Sequence, residues 1–111
     1  MTLDIDVLTL FPAMITGPLS ESIPGRIQER GLVRIRVHDL REFGLGRHRS
    51  VDDTPYGGGA GMVMRVEPVV AAIESVRQPM STVILLDPGG EVFTHARAAD
   101  LATRAHLVSY L

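Results

Sequence analysis

Thr82-Val83-Ile84-Leu85-Leu86-Asp87-Pro88-Gly89-Gly90 is the stretch whose reading decides the fold class. Its first five residues form a β-branched and aliphatic run, the composition of a short strand buried on both faces. Asp87-Pro88-Gly89-Gly90 then turns the chain abruptly. Upstream, Val69, Ile73 and Val76 fall at i, i+4 and i+7, and Pro68 fits a first helical turn, which predicts a helix running to Arg77 before Pro79. Downstream, Thr94 can cap a helix lined by Ala98, Leu101 and Ala102, and Leu107 to Leu111 begins another strand. Helix, strand, turn, helix, strand is the alternation of a parallel α/β sheet.

The amino-terminal half follows the same pattern. Leu3, Ile5 and Val7 alternate with Asp4, Asp6 and Leu8, the period of a strand with one face buried, and Phe11-Pro12 ends it. Leu19, Ile23 and Ile27 recur every four residues, while Pro18 and Pro24 restrict that helix to short pieces and Gly31 supplies a stop. Val33, Ile35 and Val37 alternate with Arg34, Arg36 and His38, which reads as a strand with a basic outer face whose arginines meet water or a ligand. Phe43 to Met62 holds six glycines and almost no periodic hydrophobicity, the mark of a long loop without regular structure. The expected architecture is one α/β domain, a mostly parallel sheet with flanking helices.

Composition bounds the function. A 45% hydrophobic content over 111 residues is enough for one packed core, and no run of eighteen apolar residues or basic leader stands at the start. A cytoplasmic protein without a membrane partner is the expectation. With no cysteine there is no disulfide framework, thiolate nucleophile or Cys-based zinc site. His95 and His106 have no partner at ligand spacing, so no metal is expected and a structural role is assigned to both. The net charge of −2 gives no general argument for nucleic acid, so any such argument must be local. All 11 basic residues are arginine. Five of them lie from Arg34 to Arg49 against Asp39 and Glu42, a local charge of +5 − 2 = +3. Such a patch either meets RNA phosphate or is merely solvated, and Arg47 and Arg49 beside the glycine loop are the phosphate candidates.

Glycines at 57, 58, 59 and 61 remove side chains where the backbone would approach a flat ligand or phosphate, and free their amides to donate. A plain surface turn has the same composition. Neither a Walker loop nor a G-x-G-x-x-G spacing is present. Asp52 and Asp53 are adjacent carboxylates in this loop, candidates for a general base, although acids beside turn glycines more often cap local amides. Tyr56 can stack on a base or pin the loop. The Asp87 to Gly90 turn falls beyond a strand's carboxyl end, where ligands of open α/β sheets collect, but a simple connection reads alike.

Val51-Asp52-Asp53-Thr54-Pro55-Tyr56-Gly57-Gly58-Gly59-Ala60-Gly61-Met62 resembles the hallmark loop of the bacterial SPOUT-class tRNA (guanine-37-N1)-methyltransferases, and Leu10-Phe11-Pro12 resembles that family's opening motif. Leu85 to Gly90 sits where the family places the first loop of its S-adenosylmethionine pocket, so the likeness covers essentially the whole chain. The resemblance implies the amino-terminal part of a trefoil-knot domain, with the knot itself incomplete. It assigns Leu85, Leu86, Asp87, Pro88 and Gly89 to one wall of the cofactor site. Asp52, Tyr56, Gly57, Gly58, Gly59 and Gly61, with Arg47 and Arg49, fall to the target base and the tRNA anticodon loop. Asp87 replaces a frequent small hydroxyl residue and Ala60 a frequent proline.

Relatives of this family continue past Leu111 into the rest of the knot, the general-base aspartate and a helical tRNA-binding domain. By that reading residues 1–111 are a partial domain, inactive alone, in an enzyme that works as a homodimer. The alternative class is a non-catalytic RNA-binding or dimerising fragment that pairs through a sheet edge left uncovered at Leu111.

Overall fold

The computed structural model describes residues 2–46, 51–53 and 63–111. Strand β1 (Leu3–Thr9) leads through α1 (Pro12–Leu19) and α2 (Ser22–Glu29) to β2 (Val33–Asp39) and a 3-10 turn at Leu40–Phe43. Two short strands, β3 (Asp52–Asp53) and β4 (Val63–Met64), precede α3 (Val66–Val76), β5 (Thr82–Leu85), α4 (His95–Leu101) and β6 (His106–Tyr110). The main sheet has four strands in the order β2-β1-β6-β5, and every pairing in it is parallel.

Local chemistry explains the helix ends. Pro12 opens α1, where a missing N–H is no loss. Helix α2 closes in a Schellman motif: Gly31 takes φ +73, its N–H donates to the Gln28 carbonyl at 3.0 Å, and Leu32 N–H donates to Ile27 at 3.0 Å. The segment does fall into short pieces, two helices of eight residues each that part at Ser20 and Glu21, with Pro18 inside the first and Pro24 inside the second. Gln28 ties them together, its side-chain nitrogen donating to the Leu19 carbonyl at 2.7 Å. Thr94 caps α4 as expected, its hydroxyl accepting from Arg97 N–H at 3.1 Å.

Parallel register sorts the side chains onto two faces. Asp6 lies opposite Arg36 and Val108, and Leu8 opposite His38 and Tyr110, so these share a face. Helix α3 covers its carboxyl half: Leu8, Leu40, Ala72 and Val108 are fully buried, with Leu10, Phe43, Ile73, Val76 and Tyr110 packed around them. The other face carries Ile35 and Val37, which meet Thr16, Leu19 and Gln28 of α1 and α2.

Four sequence expectations change. Strand β1 is buried on both faces from Asp6 to Thr9, because helices lie on each side of the sheet. Strand β5 is an edge strand, not one buried on both faces; Val83 is 43% and Leu85 61% exposed. Strand β6 inserts between β1 and β5, so the outer strands of the sheet are β2 and β5, not the strand ending near Leu111. The segment from Phe43 to Met62 was expected to lack regular structure, yet Asp52 and Asp53 pair antiparallel with Met64 and Val63.

Candidate functional site

The central strands β1 and β6 lie side by side and parallel, so their carboxyl ends share the rim of the sheet where ligands of open α/β sheets collect. Both walls there are pinned by hydrogen bonds. Phe11 N–H donates to Thr9 Oγ1 at 3.1 Å, and Arg41 Nη1 donates to the Leu10 carbonyl at 2.5 Å with its guanidinium over the Phe11 ring. Opposite, Leu111 N–H donates to the Leu8 carbonyl at 3.0 Å and Leu86 N–H to the Tyr110 carbonyl at 3.1 Å.

Leu85, Leu86, Asp87, Pro88 and Gly89 come together at the end of β5. Leu86 is 57% exposed, so two adjacent leucines present apolar surface beside that rim. The following turn is closed by Gly90 N–H to the Asp87 carbonyl at 3.0 Å and by Gly89 N–H to Asp87 Oδ2 at 3.0 Å. A Cβ on Gly89 would stand 3.0 Å from that carboxylate oxygen, so glycine lets the turn tighten. The Asp87 carboxylate thus organises its own loop.

Beside Tyr110 a cavity of about 220 Å³ opens between sheet and helix, lined by Arg65, Val66, Val69, Val70 and Tyr110. Burial pushes the Tyr110 phenol's pKa up, which keeps it neutral. Arg65 joins the cavity to the base of the glycine segment. Its N–H donates to the Val51 carbonyl at 2.6 Å and its Nε to the Asp52 carbonyl at 2.8 Å, where β3 pairs with β4. Val51 itself is buried and anchors that hairpin. Tyr110 joins the cavity to the Leu85–Leu86 corner, since it is in register with Leu85 and bonded to Leu86. Arg47, Arg49, Tyr56, Gly57, Gly58, Gly59 and Gly61 lie outside the described residues. Asp52 is described, and its carbonyl is the group bound to Arg65. The cavity's lining was not legible in sequence, because it joins α3 to a strand whose place in the sheet only the topology reveals.

The basic face of β2 is largely neutralised. Arg36 grips Asp6 with two hydrogen bonds, Nε to Oδ1 and Nη2 to Oδ2, both 3.0 Å. His38 Nε2 lies 2.6 Å from Oδ1 and His106 Nε2 2.7 Å from Oδ2. Ser81 Oγ stands 2.5 Å from His106 Nδ1. Burial alone would raise the Asp6 pKa, but hydrogen bonds from Arg36, His106 and His38 outweigh it and hold the carboxyl far below the usual carboxylate range. The same contact raises Arg36. Arg34 sits 3.8 Å from Asp4 and Arg41 4.0 Å from Asp39. The β2 arginines do meet water, Arg36 with a side chain still 40% exposed, but Arg36 also holds the buried Asp6 carboxylate, which the alternation alone did not indicate. A local count of +3 omitted Asp4 and Asp6, which β1 brings alongside; their matching alternation with Arg34 and Arg36 was the available signal. His106 is a buried structural group, as expected. Among the described residues no group of three His, Cys, Asp or Glu side chains is arranged to hold a metal, and no helix is long and apolar enough to cross a membrane.

Comparison with known proteins adds a family. The family model described as tRNA (guanine-1)-methyltransferase TrmD matches residues 3–110. A curated tRNA (guanine-N(1)-)-methyltransferase of Chloroflexus aggregans is 53% identical over 106 residues, covering 93% of this chain and 42% of the relative. The protein of the same name from Geobacter metallireducens is 50% identical over 105 residues, with 93% and 43% covered. The one from Dictyoglomus turgidum is 47% identical over 106 residues, with 96% and 43% covered. The chain spans less than half the length of these relatives.

Proposed function

This chain belongs to the tRNA (guanine-1)-methyltransferase family, matching the amino-terminal part of its relatives, and from that premise we propose that it builds one side of a site that methylates guanine N1 at position 37 of tRNA with S-adenosylmethionine. The observation that carries the reading is the cavity at Tyr110, tied by Arg65 to the base of the glycine segment and by strand register to Leu85 and Leu86. Two groups that must meet in methyl transfer would approach from these two sides.

Leu85, Leu86, Asp87, Pro88 and Gly89 fit a cofactor wall because they offer exposed apolar side chains and a tight turn at the carboxyl end of the sheet. When bound, S-adenosylmethionine supplies an electrophilic methyl group on sulfur. The chain's own contribution is positioning, which in bimolecular transfer removes much of the barrier. Asp52, Tyr56, Gly57, Gly58, Gly59 and Gly61 would enclose the target base after it leaves the anticodon-loop stack, and Arg47 and Arg49 would hold phosphate. The N1 proton must pass to a base. Among the described residues none that lines the cavity is a carboxylate, and this chain alone is proposed to bind without turning over, within an enzyme that acts as a homodimer.

Calorimetry with S-adenosylhomocysteine tests the reading. Micromolar binding by the 111-residue chain, with no methyl transfer to a tRNA transcript, is the expected outcome. Heat from an anticodon stem-loop RNA but none from S-adenosylhomocysteine would instead establish the alternative, a non-catalytic RNA-binding fragment. Sedimentation velocity giving only monomer would remove the homodimer.

A further inference from the structure

At the amino ends of β5 and β6, opposite the rim that carries the proposed methyl-transfer site, a hydroxyl, an imidazole and a carboxylate are joined in one hydrogen-bonded chain. Ser81 stands in the turn before β5, His106 opens β6, and Asp6 lies in the middle of β1. Ser81 Oγ is 2.5 Å from His106 Nδ1, and His106 Nε2 is 2.7 Å from Asp6 Oδ2. The acid sets the direction of both bonds. Asp6 is ionised and can only accept, so the imidazole carries its proton on Nε2. In the neutral ring that leaves a lone pair on Nδ1, and the Ser81 hydroxyl donates to it.

We infer that Ser81 is an activated nucleophile and a site of covalent acylation, with His106, beyond its structural role, as the base that takes its proton. Hydroxyl to imidazole to buried carboxylate is the order of groups that makes a serine reactive in acyl transfer. The ring is turned round here, with the carboxylate on Nε2 and the hydroxyl on Nδ1, but an anion at one ring nitrogen stabilises a proton gained at the other in either sense. Gln78 N–H donates to Ser81 Oγ at 2.8 Å, which favours that oxygen as its proton leaves. Ser81 is half-buried while His106 and Asp6 are fully buried, so the hydroxyl is the member that a reagent meets. Arg36 and His38 also bind Asp6, which spreads its charge and makes the activation smaller than in a dedicated hydrolase. Met80 and Val83 beside the hydroxyl are exposed and apolar, and suit an uncharged carboxylic ester better than a charged phosphoryl donor. In the step, Ser81 Oγ bonds to the ester carbonyl carbon and the bond from that carbon to the leaving oxygen breaks. The hydroxyl proton passes to His106 Nδ1 and then to the leaving oxygen, and the chain keeps the acyl group.

A brief exposure to p-nitrophenyl acetate, followed by peptide mapping in a mass spectrometer, tests this. The chain has no cysteine and all 11 basic residues are arginine, so no thiol or lysine amine competes for the ester. Ser20 and Ser75 are internal controls, since their hydroxyls donate to the carbonyls of Gly17 and Ala72 rather than to a base. Both are more exposed than Ser81, so accessibility alone predicts the opposite order. Ser81 should acquire the acetyl group at least about tenfold faster than either, somewhat below the ~100-fold of a fully committed base because the Asp6 charge is shared. Ser81→Ala should remove that adduct and leave the slower ones. His106→Gln should bring Ser81 down to the controls' rate; if that variant does not fold, wild type in denaturing urea makes the same comparison, and the preference should vanish there. A ratio below tenfold in the folded chain, or a preference that survives urea or a folded His106→Gln, would overturn the inference and leave the proposed function standing.

Discussion

Asp6 is 1% exposed and still ionised, because Arg36, His38 and His106 together supply four hydrogen bonds to its two oxygens. A buried charge whose partners remain is costly to delete. Asp6→Asn keeps the shape but turns an amide N–H₂ towards donors, and should cost about 3 kcal/mol in urea unfolding at unchanged m-value. The pH dependence follows from the direction of the shift. Asp6's folded pKa lies below the ~3.9 of an unfolded aspartate, so its stabilisation is complete above that value and is lost as pH falls through the folded one. Wild type should lose stability as pH drops below about 4, and Asp6→Asn should show a flatter acid limb; equal slopes would contradict the assignment. Residues of this kind were only half visible in sequence. The parity of Asp4 and Asp6 against Arg34 and Arg36 was there, but which strand lies beside which was not.

Helix ends and strand edges respond to single changes. Gly31 holds φ +73 in the cap of α2, and Gly31→Ala should cost about 1 kcal/mol through the left-handed backbone alone. Removing the Thr94 hydroxyl should cost about the same. Strand β5 makes a sharper test. Val83→Lys at its exposed face should change stability by no more than about 0.5 kcal/mol, whereas a lysine at fully buried Val108 should prevent folding. Gly31, Thr94 and the Asp87 turn were legible because each end of an element needs a particular residue chemistry. The burial of Thr82 to Leu86 was not, since a short apolar run has the same composition at a sheet's edge as at its centre.

Across the whole molecule, the fold is closed by contacts between its two ends, among them His106 Nε2 to Asp6 Oδ2, one hundred residues apart, and Leu111 N–H to the Leu8 carbonyl. Among the described residues, strand β6 alone links β1 to β5 in the main sheet. A chain ending at Arg104 should therefore lose cooperative thermal unfolding, not merely lower its midpoint; a sharp transition in that truncation would show that β1, β2 and α3 fold without it. Parallel α/β class was legible from the alternation of periods. The turn that ends Leu85 to Gly90 was legible, yet the Tyr110 cavity depends on where β6 inserts, which no local pattern encodes. The central claim is that the glycine-segment base and the Leu85–Leu86 corner serve one site. Hydrogen–deuterium exchange of the 111-residue chain with S-adenosylhomocysteine tests it most directly. Added protection should appear together at Leu85 to Gly90, at Tyr110 and at Arg65 to Val70; protection confined to α1 and α2, or none, would contradict the account.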